Sequence, residues 1–323
     1  MNASEAWARD EDSRDPLAWC RSAFEHPVGA GGASLVYLCG NSLGLLPRAA
    51  REDVGRVLAA WSERGVEGHM TGPAPWYNYH EPLLAPMARL VGAHPAEIAV
   101  MNSLTVNLHL MLTSFFRPDA TRWKIVMEES AFPSDTYAVA SHLASRGLDP
   151  ADGLVLVRPR AGEAVLRTED FEALLAERGG EIALVLLPGV QYFSGQLLDI
   201  WRLSRAAHAA GALAGFDLAH AAGNAVLHLH EWEVDFAVWC SYKYLNAGPG
   251  AVAGCFVHQR HGSDPAIPRL AGWWATIRRP GFACTSTSSS NRCRAQPAGS
   301  SAIPPFCRWR RWPPPLPLST RPE

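Results

Sequence analysis

Only two lysines, Lys124 and Lys243, stand among the 29 basic residues of the chain. Chemistry that needs a lysine amine therefore has two possible sites. Lys243 lies in WCSYKYLNAGPG, just past an apolar run and between aromatic and small residues. Shielding from water there favours the neutral amine that attacks a carbonyl. Lys124 opens an apolar run after the polar turn DATRW and reads as structural. Asp217 closes the run ALAGFD, 26 residues before Lys243, and His220 follows in the next turn. A carboxylate at a strand end suits a cationic ring nitrogen. The stretch NSLT at 102–105 offers a helix start with free N–H groups and a hydroxyl, which is a phosphate cradle by helix-terminus physics. Phe132 and Asp135, in AFPSD, follow another apolar run, with Phe132 placed to stack on a planar ring. A lysine, a strand-end aspartate, an anion-binding helix start and a stacking aromatic are what pyridoxal 5′-phosphate requires. His228, His230 and Glu231 in HLHEWE match no metal-site spacing and read as a half-exposed edge, so no metal is expected.

The elements that position these residues follow from periodicity. A helix is expected over 47–65, with Ala50, Val54, Leu58 and Trp61 on one face, then a loop over 66–75. A second helix covers 79–91 and stops at Gly92, and a third starts at 102–105. Short apolar strands are expected at 124–128, 154–157, 182–187, 213–217, 235–239 and 251–257. Helices at 168–178 and 199–210, and one ending at Gly147 after the loop AFPSD, alternate with them. This alternation predicts an α/β fold with a mostly parallel sheet covered on both faces, where ligands bind at the carboxyl ends of strands. No GxxxxGK[ST], HExxH or CxxC pattern occurs, which leaves those mechanisms without support.

A net charge of −2 gives no basic surface for nucleic acid. The polar, acidic start MNASEAWARDEDSRDP is not a secretory signal, and the longest apolar run is broken by Pro188. A cytoplasmic protein without membrane spans is expected.

The segments YLCGNSLGL, NSLTVNLHLML, AFPSDTYA, GVQYFSGQ, GFDLAHAAGN and WCSYKYLNAGPG together resemble the kynureninase family, in its order and at its spacing. The resemblance runs from about residue 35 to Trp274. It implies the large-domain fold of type I pyridoxal-phosphate enzymes, as in the aspartate aminotransferase superfamily, and a homodimer. It implies that Lys243 carries the cofactor, that Asp217 keeps the pyridine nitrogen protonated, and that His220 lies nearby. Leu104 and Thr105 match the phosphate-side turn, with Tyr242 and Trp273 as further contacts. Phe132, Pro133, Ser134 and Asp135 match the loop that cradles the ring. Ser42 and His69 match positions lining the substrate pocket, and Pro188 stands where some relatives carry serine. The implied reaction is hydrolysis of L-kynurenine, and of its 3-hydroxy form, to anthranilate or 3-hydroxyanthranilate and L-alanine. The competing expectations are another fold type I enzyme of the cysteine desulfurase or class V aminotransferase kind, or an inactive remnant.

After Trp274 the resemblance ends. Residues 275–323 carry eight arginines and a single acid, Glu323. They read as a low-complexity tail in a shifted frame: with GC-rich codons, one G restored after Trp274 gives Trp-Gly-His-Asp-Pro, which suits the family. The expected organisation is an N-terminal segment over 1–50, a cofactor-binding large domain over 51–274 and this tail over 275–323. On that reading the small C-terminal domain is missing or replaced by disordered chain, and turnover is expected to be low.

Overall fold

A computed structural model describes residues 4–270. Trp273, Trp274 and the tail over 275–323 lie outside the described residues.

The chain starts with α1 (Glu5–Arg14) and a two-residue antiparallel pairing of β1 (Phe24–Glu25) with β2 (Leu46–Pro47). Helices α2 (Arg48–Arg64) and α3 (Glu81–Val91) follow. The remainder alternates: β3 (Ile98–Met101), α4 (Leu104–Phe115), β4 (Lys124–Glu128), α5 (Pro133–Ser145), α6 (Pro150–Gly153), β5 (Leu154–Val157), α7 (Thr168–Arg178), β6 (Ile182–Pro188), α8 (Ile200–Ala209), β7 (Leu213–Asp217), β8 (Phe236–Trp239) and β9 (Ala253–Val257).

β3 to β9 form one seven-stranded sheet in the order β3-β9-β8-β7-β6-β4-β5. Only β9 runs against the others, pairing antiparallel with β8 and β3. β6 shows why its sequence is an unbroken apolar run. Val185 and Leu187 pack on one face with α7 and α8, while Leu184 and Leu186 pack on the other with α4 and α5. A strand buried on both faces has no polar side to show. From β4 the chain turns one way to β5 and the other way to β6, so a crevice opens at the carboxyl ends where the order reverses.

Three expectations change. β3 was absent from the periodicity because IAVM is short and apolar, and it becomes a strand only through its pairing with β9. The loop AFPSD is shorter than expected, because α5 already starts at Pro133. Proline suits that first turn, since its fixed φ fits the helix and its missing N–H has no partner to lose. The expected apolar face of α2 exists but is uncovered: α2 buries none of its residues, and Trp61 remains 65% exposed.

Candidate active site

The strand ends deliver the chemistry. Lys243 follows β8 and is buried, as is Asp217 at the end of β7. Lys243 Nζ lies 2.8 Å from His220 Nε2. Burial first, and then the Lys243 charge, push the His220 imidazole down to about 4, so its ring is neutral and Nε2 accepts from the lysine. Lys243 Nζ also sits 5.7 Å from the centroid of the Phe132 ring, and that ring meets Tyr192 edge-on at 5.2 Å.

Asp217 Oδ1 accepts the Ala219 amide at 2.7 Å, and its side chain is hydrogen-bonded to Asp135 in the first turn of α5. Burial raises both carboxyls, and the Asp217 charge raises Asp135 further. Asp135 therefore keeps its proton and donates it to Asp217. A third carboxyl, Glu128 at the end of β4, is pushed up to about 7 by burial.

Two helix starts complete the cleft. Ser103 caps α4, its Oγ accepting the Val106 amide, which leaves Leu104 and Thr105 in the first turn facing the opening. Thr105 Oγ1 lies 3.4 Å from Ser134 Oγ of α5. Two hydroxyls beside helix N-termini form an anion-binding corner.

The cleft encloses ≈ 760 Å³, part of it open to solvent. Of the site residues expected from sequence, it brings together Leu104, Thr105, Phe132, Ser134, Asp135, Asp217, His220, Tyr242 and Lys243. Pro133 sits between two of them as the first residue of α5. Ser42 and His69 are exposed and do not line this cleft; His69 stacks edge-on against Trp76 at 5.3 Å. Ser42 is nonetheless close in chain to the cleft wall. Gly44 N donates to the Tyr242 carbonyl at 2.8 Å, and a Cβ on Gly44 would collide with the Lys243 carbonyl oxygen. That approach explains the glycine in GNSLG. Pro188 lines the cleft at the end of β6. Lys124 bonds Glu181 at 2.8 Å, away from the cleft.

Sequence reasoning missed Glu128 and Tyr192. Glu128 closes the apolar strand KIVME as Asp217 closes LAGFD, so the same rule would have found it. It also missed a group of metal-type ligands, Glu97, His230 and His258, whose ligand atoms lie within 4.8 Å of one another. There the Glu97 oxygens already accept the His94 amide, the Gln259 amide and His230 Nδ1, each at 2.9 Å. The cluster is thus a satisfied buried carboxylate at the far edge of the sheet.

The residues of the cleft fit a pyridine ring bearing a phosphate. Two carboxyls are buried against each other with no cation beside them among the described residues except Lys243, and a protonated ring nitrogen would supply one.

The aminotransferase class-V family matches residues 81–260. A kynureninase of Salinispora tropica is 56% identical over 82% of this chain and 62% of its own length. A kynureninase of Myxococcus xanthus is 50% identical over 89% of this chain and 67% of its own. The chain thus spans about three-fifths to two-thirds of the length of these relatives. Among solved structures, a C-DES mutant with glycine covalently linked to its PLP cofactor superposes with a TM-score of 0.62. It is 19% identical and covers 80% of this chain and 64% of its own, which speaks for the fold alone.

Proposed function

This chain belongs to the class-V aminotransferase family and, within it, to the kynureninases, and from that membership we propose that its cleft holds pyridoxal 5′-phosphate and serves the hydrolysis of L-kynurenine to anthranilate and L-alanine. The observation that carries the reading is the convergence of Lys243, neutral His220, the Asp135–Asp217 pair and the α4 start in one cleft. Bound there, the cofactor would supply an electron sink for cleavage next to an amino acid's α-carbon.

The chain's own residues have definable tasks. Lys243 holds the cofactor and then moves the proton at the substrate Cα, with His220 Nε2 as the acceptor that orients its amine. Asp217, receiving the Asp135 hydrogen bond, keeps a proton on the ring nitrogen. Phe132 covers one ring face. Leu104, Thr105 and Ser134 hold the phosphate, with Tyr242 as a further contact. Ser42 and His69 belong to the substrate pocket, and the exposed position of both in this chain fits residues completed by a second copy. The uncovered apolar stripe of α2 supports that homodimer, since exposed Trp61, Val54 and Leu58 need a partner surface. No helix among the described residues is long and apolar enough to cross a membrane. We further propose the division into 1–50, a cofactor-binding 51–274, and a 275–323 segment in a shifted frame; a DNA read across codon 274 tests the last.

The functional test adds L-kynurenine to the purified chain loaded with pyridoxal phosphate and follows anthranilate fluorescence. Anthranilate release supports the reading. If no anthranilate forms and the chain instead converts added L-cysteine, with a thiol reductant present, to alanine and sulfide, the reading is overturned in favour of a desulfurase.

A further inference from the structure

Lys243 carries its amine at the end of a long side chain, and its backbone lies in no strand or helix. Within the turn after β8, the Asn246 amide donates to the Lys243 carbonyl at 3.3 Å and the Ala247 amide to the Ser241 carbonyl at 3.1 Å. Such bonds shape the turn but do not fix it to the rest of the fold. Two other segments do. The first is the turn that carries His220: a Cβ on Gly223 would lie 2.7 Å from Leu245 Cδ2 and 3.3 Å from Tyr244 Cβ. His220 itself meets the Tyr244 ring edge-on at 6.3 Å. The second is the N-terminal segment. Gly44 N donates to the Tyr242 carbonyl at 2.8 Å, and Asn246 Nδ2 donates to the Leu45 carbonyl at 3.1 Å. Tyr37 Oη donates to the Leu43 carbonyl at 2.8 Å, which stiffens that segment. Asn246 holds a φ of +55°, where glycine is the default residue. The chain has asparagine there instead, and its amide is the group that reaches Leu45.

We propose that Asn246 is a positioning residue for Lys243: with Gly44 it clamps the N-terminal segment onto the turn 242–246, and that clamp holds the lysine amine against His220. The close approach at Gly44 supports this, because a Cβ there would strike the Lys243 carbonyl oxygen and the Asn246 side chain together. The hydrogen bonds agree, since they take hold of the Tyr242 carbonyl and of Asn246, on either side of Lys243 in the chain. The 2.8 Å contact of Lys243 Nζ with His220 Nε2 is made by an amine four carbons from its backbone. It keeps one place only if that backbone is fixed, and a shift of about 1 Å at a reacting atom costs on the order of 100-fold in rate. Residues near position 44 thus act on the chemistry through the lysine turn, without lining the cleft. The consequence for the cofactor rests on the function proposed above, whereas the clamp itself does not.

The two lysines of the chain make the test internal. The full chain is treated with formaldehyde and cyanoborohydride, which methylate an amine that meets the aldehyde, and the ratio of Lys243 to Lys124 labelling is read by peptide mass spectrometry. Lys124, bonded to Glu181 at 2.8 Å away from the cleft, is the reference. Asn246→Gly and Asn246→Asp both tolerate a φ near +55°, and both remove the donor to Leu45. In each the ratio should rise by about threefold or more, because a buried amine is labelled when its turn opens. A parent-like ratio in a folded variant overturns the proposal. A role in backbone conformation alone survives both substitutions, and a general loss of stability moves both lysines together. Should neither variant fold, the parent chain decides. By reciprocity, a clamp that positions the amine for the cofactor is tightened by bound cofactor. Hydrogen exchange of the Gly44 amide should therefore slow by about threefold or more on adding pyridoxal phosphate. An unchanged rate with cofactor bound overturns the proposal. Failure of the cofactor to bind the parent counts against the cofactor reading, and the labelling ratio still decides this one.

Discussion

Buried carboxylates lie at both edges of the central sheet, and they are treated in opposite ways. At the amino edge, Asp235 precedes β8 and is 1% exposed. Its Oδ2 accepts from His208 Nε2 at 2.8 Å and the Ala214 amide at 2.7 Å, while Oδ1 meets His261 and Arg260. Despite burial, these donors and the Arg260 charge hold it well below the usual carboxylate range. At the carboxyl edge, Glu128, Asp135 and Asp217 are also buried but pushed up. Satisfaction marks an architectural charge; want of a counter-charge marks a site made for something not covalently part of the chain.

Asp235→Ala should break the architectural side of this contrast hardest. It leaves Arg260, His208 and His261 around an empty partner, and stability by urea unfolding should fall by about 3–5 kcal/mol. Cofactor absorbance in the remaining folded fraction should persist.

Glu128 gives the opposite pH signature. The folded chain holds its proton up to about 7 against 4.5 for the free group, so folded Glu128 binds protons more tightly than unfolded. The stability it contributes is full below 4.5 and is lost as pH rises toward 7. Between about pH 5 and 8 the parent should lose up to about 3 kcal/mol relative to Glu128→Gln, read from paired denaturation curves. Parallel curves would place Glu128 with the satisfied class. Asp235 has the reverse sign, since its lowered value contributes stability that is lost in acid.

Asp217→Asn should cost within about 1 kcal/mol of stability, because it relieves the burial of a charge while its amide oxygen can still accept from Ala219. Cofactor affinity should nonetheless drop, measured by absorbance titration. A large stability loss with intact affinity would invert the comparison.

These contrasts also explain what the sequence made legible. Lys243, Asp217 and Asp135 were readable because each closes or follows an apolar run that reads as a strand, and the α4 start was readable from its capping residues NSLT. Most strand boundaries were readable for the same reason, as at 124–128 and 154–157. The Asp235 cluster was not, since His208, Ala214, Arg260 and His261 meet only through the crossovers of the sheet. β3 was hidden because its identity depends on β9. Periodicity found the stripe of α2 but not that it would be left uncovered.

The smallest effect concerns that stripe. Trp61→Ser should change monomer stability within about 0.5 kcal/mol, as for an exposed position. In sedimentation it should shift the chain from dimer toward monomer. A wild-type chain that sediments only as a monomer would leave α2 without the proposed partner.

The central claim is that the unsatisfied edge is a pyridoxal-phosphate site centred on Lys243. The most direct measurement is the absorbance spectrum of the purified chain and of Lys243→Ala after adding pyridoxal phosphate and removing the excess. The account predicts a protein-bound band near the visible edge in the parent that borohydride fixes onto Lys243, and its loss in Lys243→Ala. An identical cofactor band in both proteins would contradict it.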